Sequence, residues 1–401
     1  MSKQAMPTKI LFLNHTAFLG GAEVMLIRLI KYLNRNLIEP IAIIAEEGPL
    51  VEQLRSYGVR SYIVPIDPRT LALKRDKYEM RFTKIVHTLN IYRKYVYKIA
   101  NFAKSKGIDK IFCNNVRAQI YGTLAGYFSN IPVIWRFHDI LSEYDFIYPV
   151  RKLMSFLASR KIVVKILCVS QAVENSLRKE GIKGWKLQTI YNGIETFDKS
   201  TSKGKLRQQY GISTNTKLIG IIGRITLWKG QEIVIKAVSK VLKNGLDIVL
   251  LVVGSPFSEE ERKYEKNLRK LAKDLGLRRQ IIFTGFRKDI PSVLKELDLV
   301  VHASLNPDPF PTVILEAMAA GRPVIASNCG GVPEMVQHEE TGLLFPSGDS
   351  DRLAECIRYA LSNEEKMRMW GQNARKQAFD KFSIEKYIKN TETILTQNFR
   401  S

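Results

Sequence analysis

Arg224 and Lys229 stand on one short stretch, Gly223-Arg-Ile-Thr-Leu-Trp-Lys-Gly230, between the apolar run 218–222 and a helical pattern. A guanidinium fork, an ammonium and a helix N-terminus together would cradle a diphosphate. The bland alternative is solvated surface charge, but a position directly after a buried strand argues for ligand binding. Asp308 lies in a later loop and Glu316 eight positions on, in a helical pattern among Ile314, Leu315 and Met318. An unpaired carboxylate buried there is costly, so a hydroxyl partner is expected; a capping aspartate with a core salt bridge is the alternative. Pro309, Phe310 and Pro311 fix how that helix begins and aim its first N–H groups. Gly20 and Gly21 offer close backbone approach at another strand-to-helix turn, or simply form that turn. The full Gly-x-Gly-x-x-Gly pattern is absent. His138 follows the apolar run 131–135, where it can meet a ligand or be a structural histidine oriented by Asp139. His15, His87, His302 and His338 occupy no comparable constellation. Asp349-Ser350-Asp351 reads as a cap on the helix 351–361 in preference to a metal site.

The elements that must position these residues alternate along the chain. Apolar runs at 10–13, 41–45, 111–113, 132–135 and 167–169 read as buried parallel strands, with helical periodicity between them, as at 22–33. The pattern restarts beyond residue 194 with runs at 218–222, 248–253, 281–283, 299–303, 324–326 and 343–345. Helical stretches at 232–242, 259–275 and 312–319 lie between. Repeated strand–helix–strand units imply an α/β fold of two doubly wound, Rossmann-like domains facing across a cleft. Residues 1–194 form the first, the polar stretch 195–205 the linker, and 206–401 the second, whose last helix is free to return to the first.

A length of 401 residues suits two domains, and a composition 45% hydrophobic and 25% charged excludes disordered, collagen-like and coiled-coil classes. The formal charge is +23; residues 1–200 hold 31 basic and 16 acidic side chains, so the surplus concentrates in the first half. An anionic partner is expected there. Cys113, Cys168, Cys329 and Cys356 form no Cys-x-x-Cys pair, which indicates neither zinc nor a disulfide framework and fits a reducing cytoplasm. Residues 10–13 are too short for a signal-peptide core and no run approaches a bilayer span, so membrane contact is expected to be peripheral, on the cytoplasmic face.

Taken together, these motifs make the chain resemble the family 4 glycosyltransferases, two-domain enzymes of the GT-B fold. The family's Glu-x7-Glu appears as Asp308-x7-Glu316, followed by Glu-Ala-Met-Ala-Ala-Gly-Arg-Pro-Val-Ile-Ala-Ser (316–327), Gly-Gly-Val-Pro-Glu-Met-Val (330–336) and Thr-Gly-Leu-Leu-Phe (341–345). Upstream stand Gly-Arg…Lys-Gly (223–230), Tyr-Asn-Gly-Ile (191–194) and Val-Ser-Gln-Ala-Val (169–173). The likeness covers nearly the whole chain and is denser in the C-terminal half. It implies transfer of a hexosyl unit, with retention, from a nucleotide diphosphate sugar (a UDP- or GDP-sugar) to a glycan or lipid-linked glycan. Neither a cofactor nor a metal is implied. Arg224 and Lys229 would hold the diphosphate and Glu316 the ribose. Asp308 and the N–H groups around Phe310, Thr312 and Val313 would hold the sugar, with Gly20, Gly21 and His138 contributed by the first domain. Asp308 is one carbon shorter than the Glu usual there.

Arg81, Lys84, Arg93, Lys94, Lys98 and Lys104 accompany Phe82, Tyr92, Tyr95, Tyr97 and Phe102, and Arg151, Lys152, Arg160, Lys161 and Lys165 add a second basic cluster. Aromatics beside lysines suit an anionic membrane surface, or a solvated helix face with ordinary core contacts. Rival activities are another GT-B reaction, sugar-nucleotide epimerisation or glycan phosphorolysis, and non-enzymatic polyanion binding. No nucleic-acid recognition module is recognisable.

Overall fold

The computed structural model describes residues 6–66, 82–143, 146–196 and 204–399. Most of the expected linker, 197–203, lies outside them. The chain divides into two compact units, Met1–Gly193 with Ile384–Ser401, and Ile194–Ser383.

The first unit is built on seven parallel strands: β1 (Thr8–Asn14), β2 (Ile38–Ile44), β3 (Arg60–Ile63), β4 (Lys110–Cys113), β5 (Val133–Phe137), β6 (Val163–Cys168) and β7 (Leu187–Thr189). Their order is β3-β2-β1-β4-β5-β6-β7. The apolar runs form these strands because helices cover both faces, leaving β5 buried at every residue. The helices that matter to the site are α1 (Gly21–Tyr32), which follows β1; α2 (Pro49–Ser56), which follows β2; α3 (Phe82–Ser105), which precedes β4; α4 (Val116–Ser129), which follows β4; α5 (Tyr148–Ser159); and α6 (Gln171–Lys179). Leu13 stands opposite Cys113 in the register, and Asn114 N–H donates to the Leu13 carbonyl at 3.0 Å. The residues that follow β1 and β4 therefore emerge side by side.

The second unit repeats the plan with six parallel strands: β8 (Lys217–Ile222), β9 (Ile248–Val253), β10 (Ile281–Gly285), β11 (Leu299–His302), β12 (Val324–Ser327) and β13 (Gly342–Phe345), in the order β10-β9-β8-β11-β12-β13. Here α7 (Lys205–Tyr210) precedes β8, α8 (Gln231–Lys243) follows it, α9 (Glu259–Asp274) follows β9, α10 (Ile290–Glu296) follows β10 and α11 (Thr312–Ala319) follows β11. After β13 come α12 (Ser350–Leu361) and α13 (Glu364–Lys381). Asp349 accepts from the N–H groups of Asp351 and Arg352 and caps α12, the role its spacing indicated.

The last helix, α14 (Ile384–Thr396), belongs to the first unit and not to the second. It packs on α1, β1 and β2 and places Ile384, Tyr387, Ile388, Ile394 and Leu395 in the same core as Leu26 and Ile30. The buried ammonium of Lys110 completes the attachment, donating to the Leu395 carbonyl at 2.7 Å in the last turn of α14. That turn has carbonyls without helical partners, and a lysine there satisfies one and complements the helix dipole.

Candidate functional site

In each sheet the strand order reverses beside its first strand, between β1 and β4 and between β8 and β11. Connections leave such a pair in opposite directions, which opens a crevice at the carboxyl ends where ligands bind in doubly wound folds.

In the second unit the two flanking loops are stitched together. Leu305 N–H donates to the Trp228 carbonyl at 2.7 Å. Gly230, with φ +68°, passes so close to Ala303 that any Cβ there would run into its carbonyl oxygen. Gly330, at φ +61°, lets a third loop reach the Asp308 backbone in the same way, and Gly331 N–H donates to the Asp308 carbonyl at 2.8 Å. Only glycine combines that backbone angle with that clearance. These approaches bring Lys229 and Asp308 together, with Nζ 2.6 Å from Oδ2.

The Asp308 carboxylate is buried and its Oδ2 also lies 3.2 Å from His302 Nε2, which in turn lies 3.1 Å from Ser304 Oγ. His302 was assigned no role from the sequence; the structure corrects that, because the end of β11 turns its ring onto Asp308. Burial alone would push the Asp308 carboxyl up, but the Lys229 ammonium and the His302 hydrogen bond outweigh it and hold it well below the usual carboxylate range. Burial lowers the His302 pKa despite the pull of Asp308, so the ring is neutral at pH 7 and its contact with Asp308 is a hydrogen bond.

Arg224 sits on the same loop as Lys229 but is held elsewhere. Its Nε lies 3.2 Å from Glu261 Oε1, and its guanidinium is 5.6 Å from the centre of the Phe257 ring. Glu261 also accepts from Phe257 and Ser258 N–H at the start of α9, so one carboxylate caps a helix and aims the arginine. Phe310 turns its ring inward against Phe382, 5.4 Å between centroids, which leaves only its backbone for a ligand. Glu316 is half-buried and not enclosed: it shares the open face of α11 with Thr312 and Val313, while Ile314, Leu315, Ala317 and Met318 fill the core.

In the first unit, Gly20 and Gly21 begin α1, exposed, with Gly20 in ordinary extended geometry at φ −111°. Gly20 N–H donates to Glu23 Oε2 at 3.2 Å. A chain of buried polar groups leads from there to His138. Asn14 donates to Glu23 Oε1 at 3.2 Å, Asn114 donates to Asn14 Oδ1 at 3.0 Å, and His138 Nε2 lies 3.2 Å from Asn114 Oδ1. The glycines and the histidine singled out in the sequence are thus connected. The asparagines and Glu23 that connect them were missed, although Asn14 and Asn114 each end or follow an apolar run. Burial raises the Glu23 pKa, and burial with nearby Arg136 lowers that of His138 well below its ordinary value. Arg136 is itself buried, donating to the Ile190 carbonyl and Asn192 Oδ1, both at 2.8 Å. Among the described residues no group of three His, Cys, Asp or Glu side chains could hold a metal ion.

Asp308→Asn removes the charge opposite Lys229. Because the folded carboxyl is held below its unfolded pKa of about 3.9, its contribution to stability is present above that value and is lost as pH falls through the folded pKa. The variant is expected to be roughly 1–3 kcal/mol less stable than wild type at pH 7. The gap should narrow as pH falls below about 4. Urea unfolding at pH 7 and pH 3 measures both; equal gaps at the two pH values would contradict the assigned pairing.

Residues 202–377 match the family of glycosyl transferases group 1, and residues 19–197 match glycosyltransferase family 4. An uncharacterized glycosyltransferase of Methanocaldococcus jannaschii is 33% identical over 222 residues, 52% of this chain and 53% of that protein, so the chain spans about half the length of that curated relative. The UDP-Gal:alpha-D-GlcNAc-diphosphoundecaprenol alpha-1,3-galactosyltransferase of Escherichia coli is 24% identical over 95% of this chain and 94% of its own. The crystal structure of Anabaena HepE in complex with UDP and glucose superposes with a TM-score of 0.83 at 28% identity, covering 98% of this chain and all of that one. With this pair of matched domains on two doubly wound parallel sheets, the chain belongs to the family 4 glycosyltransferases of the GT-B fold.

Proposed function

We propose that the protein is a retaining glycosyltransferase that moves a hexosyl unit from a nucleotide diphosphate sugar to a glycan or lipid-linked glycan. The observation that carries this reading is the loop after β8, which presents Arg224 and Lys229 at the strand-order reversal of the second unit. Its support is the likeness to HepE, a protein crystallised with UDP-glucose. UDP-sugars are therefore the donors to test first, ahead of GDP-sugars. The Escherichia coli relative, whose name gives a diphosphoundecaprenol-linked acceptor, supports a lipid-linked acceptor here.

In this reading the two cations neutralise the departing diphosphate, a task a divalent metal performs in other enzymes, so no metal is required. Lys229 exchanges part of its contact with Asp308 for phosphate oxygens. Glu316, on the open face of α11, accepts from the ribose hydroxyls, and the backbone N–H groups of Thr312 and Val313 meet the sugar. Retention follows from attack on the face the leaving group departs from, with the diphosphate accepting the acceptor's proton.

The working location we propose is the cytoplasmic face of a membrane, held peripherally. No described helix is long and apolar enough to cross one. Of the first basic cluster, Arg81 and the side chains of Phe82 and Lys84 lie outside the described residues. Arg93, Lys94, Tyr97 and Lys98 share an exposed face of α3, where Tyr97 stacks on Phe128 of α4 at 4.7 Å and Tyr127 is 70% exposed. Tyr95, in contrast, is buried. On α5, Tyr148 and Phe156 are exposed, with Lys152 and Arg160 over their rings. Exposed rings flanked by cations match the chemistry of an anionic headgroup layer.

Glu316→Ala is expected to weaken binding of free UDP on the order of 10- to 100-fold, the value of a hydrogen bond to a charged group. Calorimetric titration reads it, and a folded variant with wild-type affinity would refute the ribose assignment. Arg224→Ala and Lys229→Ala should lower turnover by on the order of a hundredfold while weakening donor binding less, with chelators without effect. Strict dependence on a divalent ion would overturn that electrostatic role.

Vesicles containing anionic lipid should bind the protein at low salt and release it at high salt, each basic side chain contributing on the order of 1 kcal/mol. Replacing Arg93, Lys94 and Lys98 together by Ser should reduce co-sedimentation and spare donor affinity. Equal sedimentation of variant and wild type would make a soluble acceptor the better assignment.

A further inference from the structure

The direction of every hydrogen bond behind His138 can be read, because backbone groups fix the ends of the chain of amides. Ala118 N–H can only donate, so Asn115 accepts through Oδ1 at 3.1 Å and turns Nδ2 to Asn14 Oδ1 at 2.5 Å. The Thr16 carbonyl can only accept, so Asn14 gives it an N–H at 2.7 Å and keeps Oδ1 as the acceptor. Asn114 Nδ2 faces two acceptors, Asn14 Oδ1 at 3.0 Å and the Ala22 carbonyl at 3.3 Å. The atom left to face His138 Nε2, at 3.2 Å, is Asn114 Oδ1, which can only accept. The ring proton must therefore reside on Nε2. Among the described residues nothing hydrogen-bonds to Nδ1.

We infer that Asn114 is a positioning residue that locks His138 in the Nε2–H tautomer, so that the ring offers substrate a lone pair at Nδ1. A lone pair accepts from a sugar hydroxyl and repels a phosphate oxygen. His138 thus recognises the hydroxyl-bearing part of the substrate and not its diphosphate, a consequence that rests on the sugar-transfer reading. Burial and Arg136 keep the ring uncharged, which prevents a second N–H from appearing at Nδ1 near neutral pH. The lock is redundant by construction. Asn114 is held by a backbone carbonyl as well as by Asn14, and Asn14 is oriented by Thr16 and by Asn115. No single rotation can present an N–H to His138 without leaving a buried acceptor facing an acceptor, since the flipped Asn114 Oδ1 would meet Asn14 Oδ1 and the Ala22 carbonyl.

The test is the nitrogen spectrum of the histidine rings in 15N-labelled full-length protein, with the His138 signals assigned by their loss in His138→Gln. The wild-type protein at neutral pH should show one tautomer, protonated at Nε2 and bare at Nδ1. A proton at Nδ1, in either the neutral or the charged ring, would overturn the inference. Asn114→Ala should mix the tautomers and lower kcat/KM by roughly three- to tenfold, the value of one neutral hydrogen bond. A spectrum unchanged in that variant would also overturn it. His138→Asn, which can bring an acceptor oxygen to the position of Nδ1, should retain more kcat/KM than His138→Gln; the reverse order would count against Nδ1 as the working atom. A wild-type protein with the expected spectrum that transfers no sugar would sink the sugar-transfer reading and still support the lock.

Discussion

The reversal of strand order beside β1 and beside β8 is the constraint from which the rest follows. Parallel strands need long crossovers, and where successive crossovers leave in opposite directions two neighbouring strands end with no helix closing over them. The chain can expose polar groups at that one place without breaking the sheet. In the first unit the strands that end there deliver Asn14 and Asn114; in the second they deliver Arg224 and, through the loop after β11, Asp308. Loops this close must be stitched to each other. Gly230 and Gly330 supply the clearance, and the bond from Leu305 to Trp228 supplies one of the stitches.

Polar groups placed in such a crevice are partly buried, and each buried donor or acceptor left unpaired costs on the order of 1–3 kcal/mol. The two units meet that demand differently. The first uses neutral amides in series, each fixing the next, with His138 at the far end. The second uses charge: Lys229 against Asp308, Arg224 against Glu261, with neutral His302 taking up the second contact on the Asp308 oxygen. Glu261 shows how economical the arrangement is, since the carboxylate that closes the start of α9 also sets the direction of Arg224.

Much of this was legible in the sequence, for identifiable reasons. Long apolar runs such as 248–253 announce themselves as buried strands, and Arg224, Lys229, Asp308 and His138 each follow one. The edge strands β3 and β7 were not legible. Arg60–Ile63 is half-exposed and polar at its start, and Leu187–Thr189 is three residues long. His302 was hidden for the opposite reason, since it lies inside the apolar run 299–303 and looks like one of its core residues until Asp308 folds back onto it. Strand order is a long-range property, so nothing local marked Asn14 and Asn114 as neighbours. The attachment of α14 to the first unit depends on Lys110 and on packing against α1, and neither leaves a local pattern.

The contrast between a crevice linked mainly by amides and one built on opposed charges bears on what each unit can recognise. Charge binds diphosphate strongly but discriminates poorly among the hydroxyls of a sugar, because an ammonium donates to any oxygen that approaches it. Amides and a neutral imidazole are weaker but directional, and a donor presented to an acceptor is favoured over an acceptor by the full cost of an unpaired buried group. The unit that holds Lys229 and Arg224 is therefore suited to supply affinity and charge neutralisation. The unit that holds Asn14, Asn114 and His138 is suited to read the pattern of hydroxyls. A cation such as Arg136 favours the neutral His138 ring, whereas a carboxylate set against it as Asp308 is set against His302 would favour the charged form, so an amide, Asn114, in contact with the ring leaves its neutral state undisturbed.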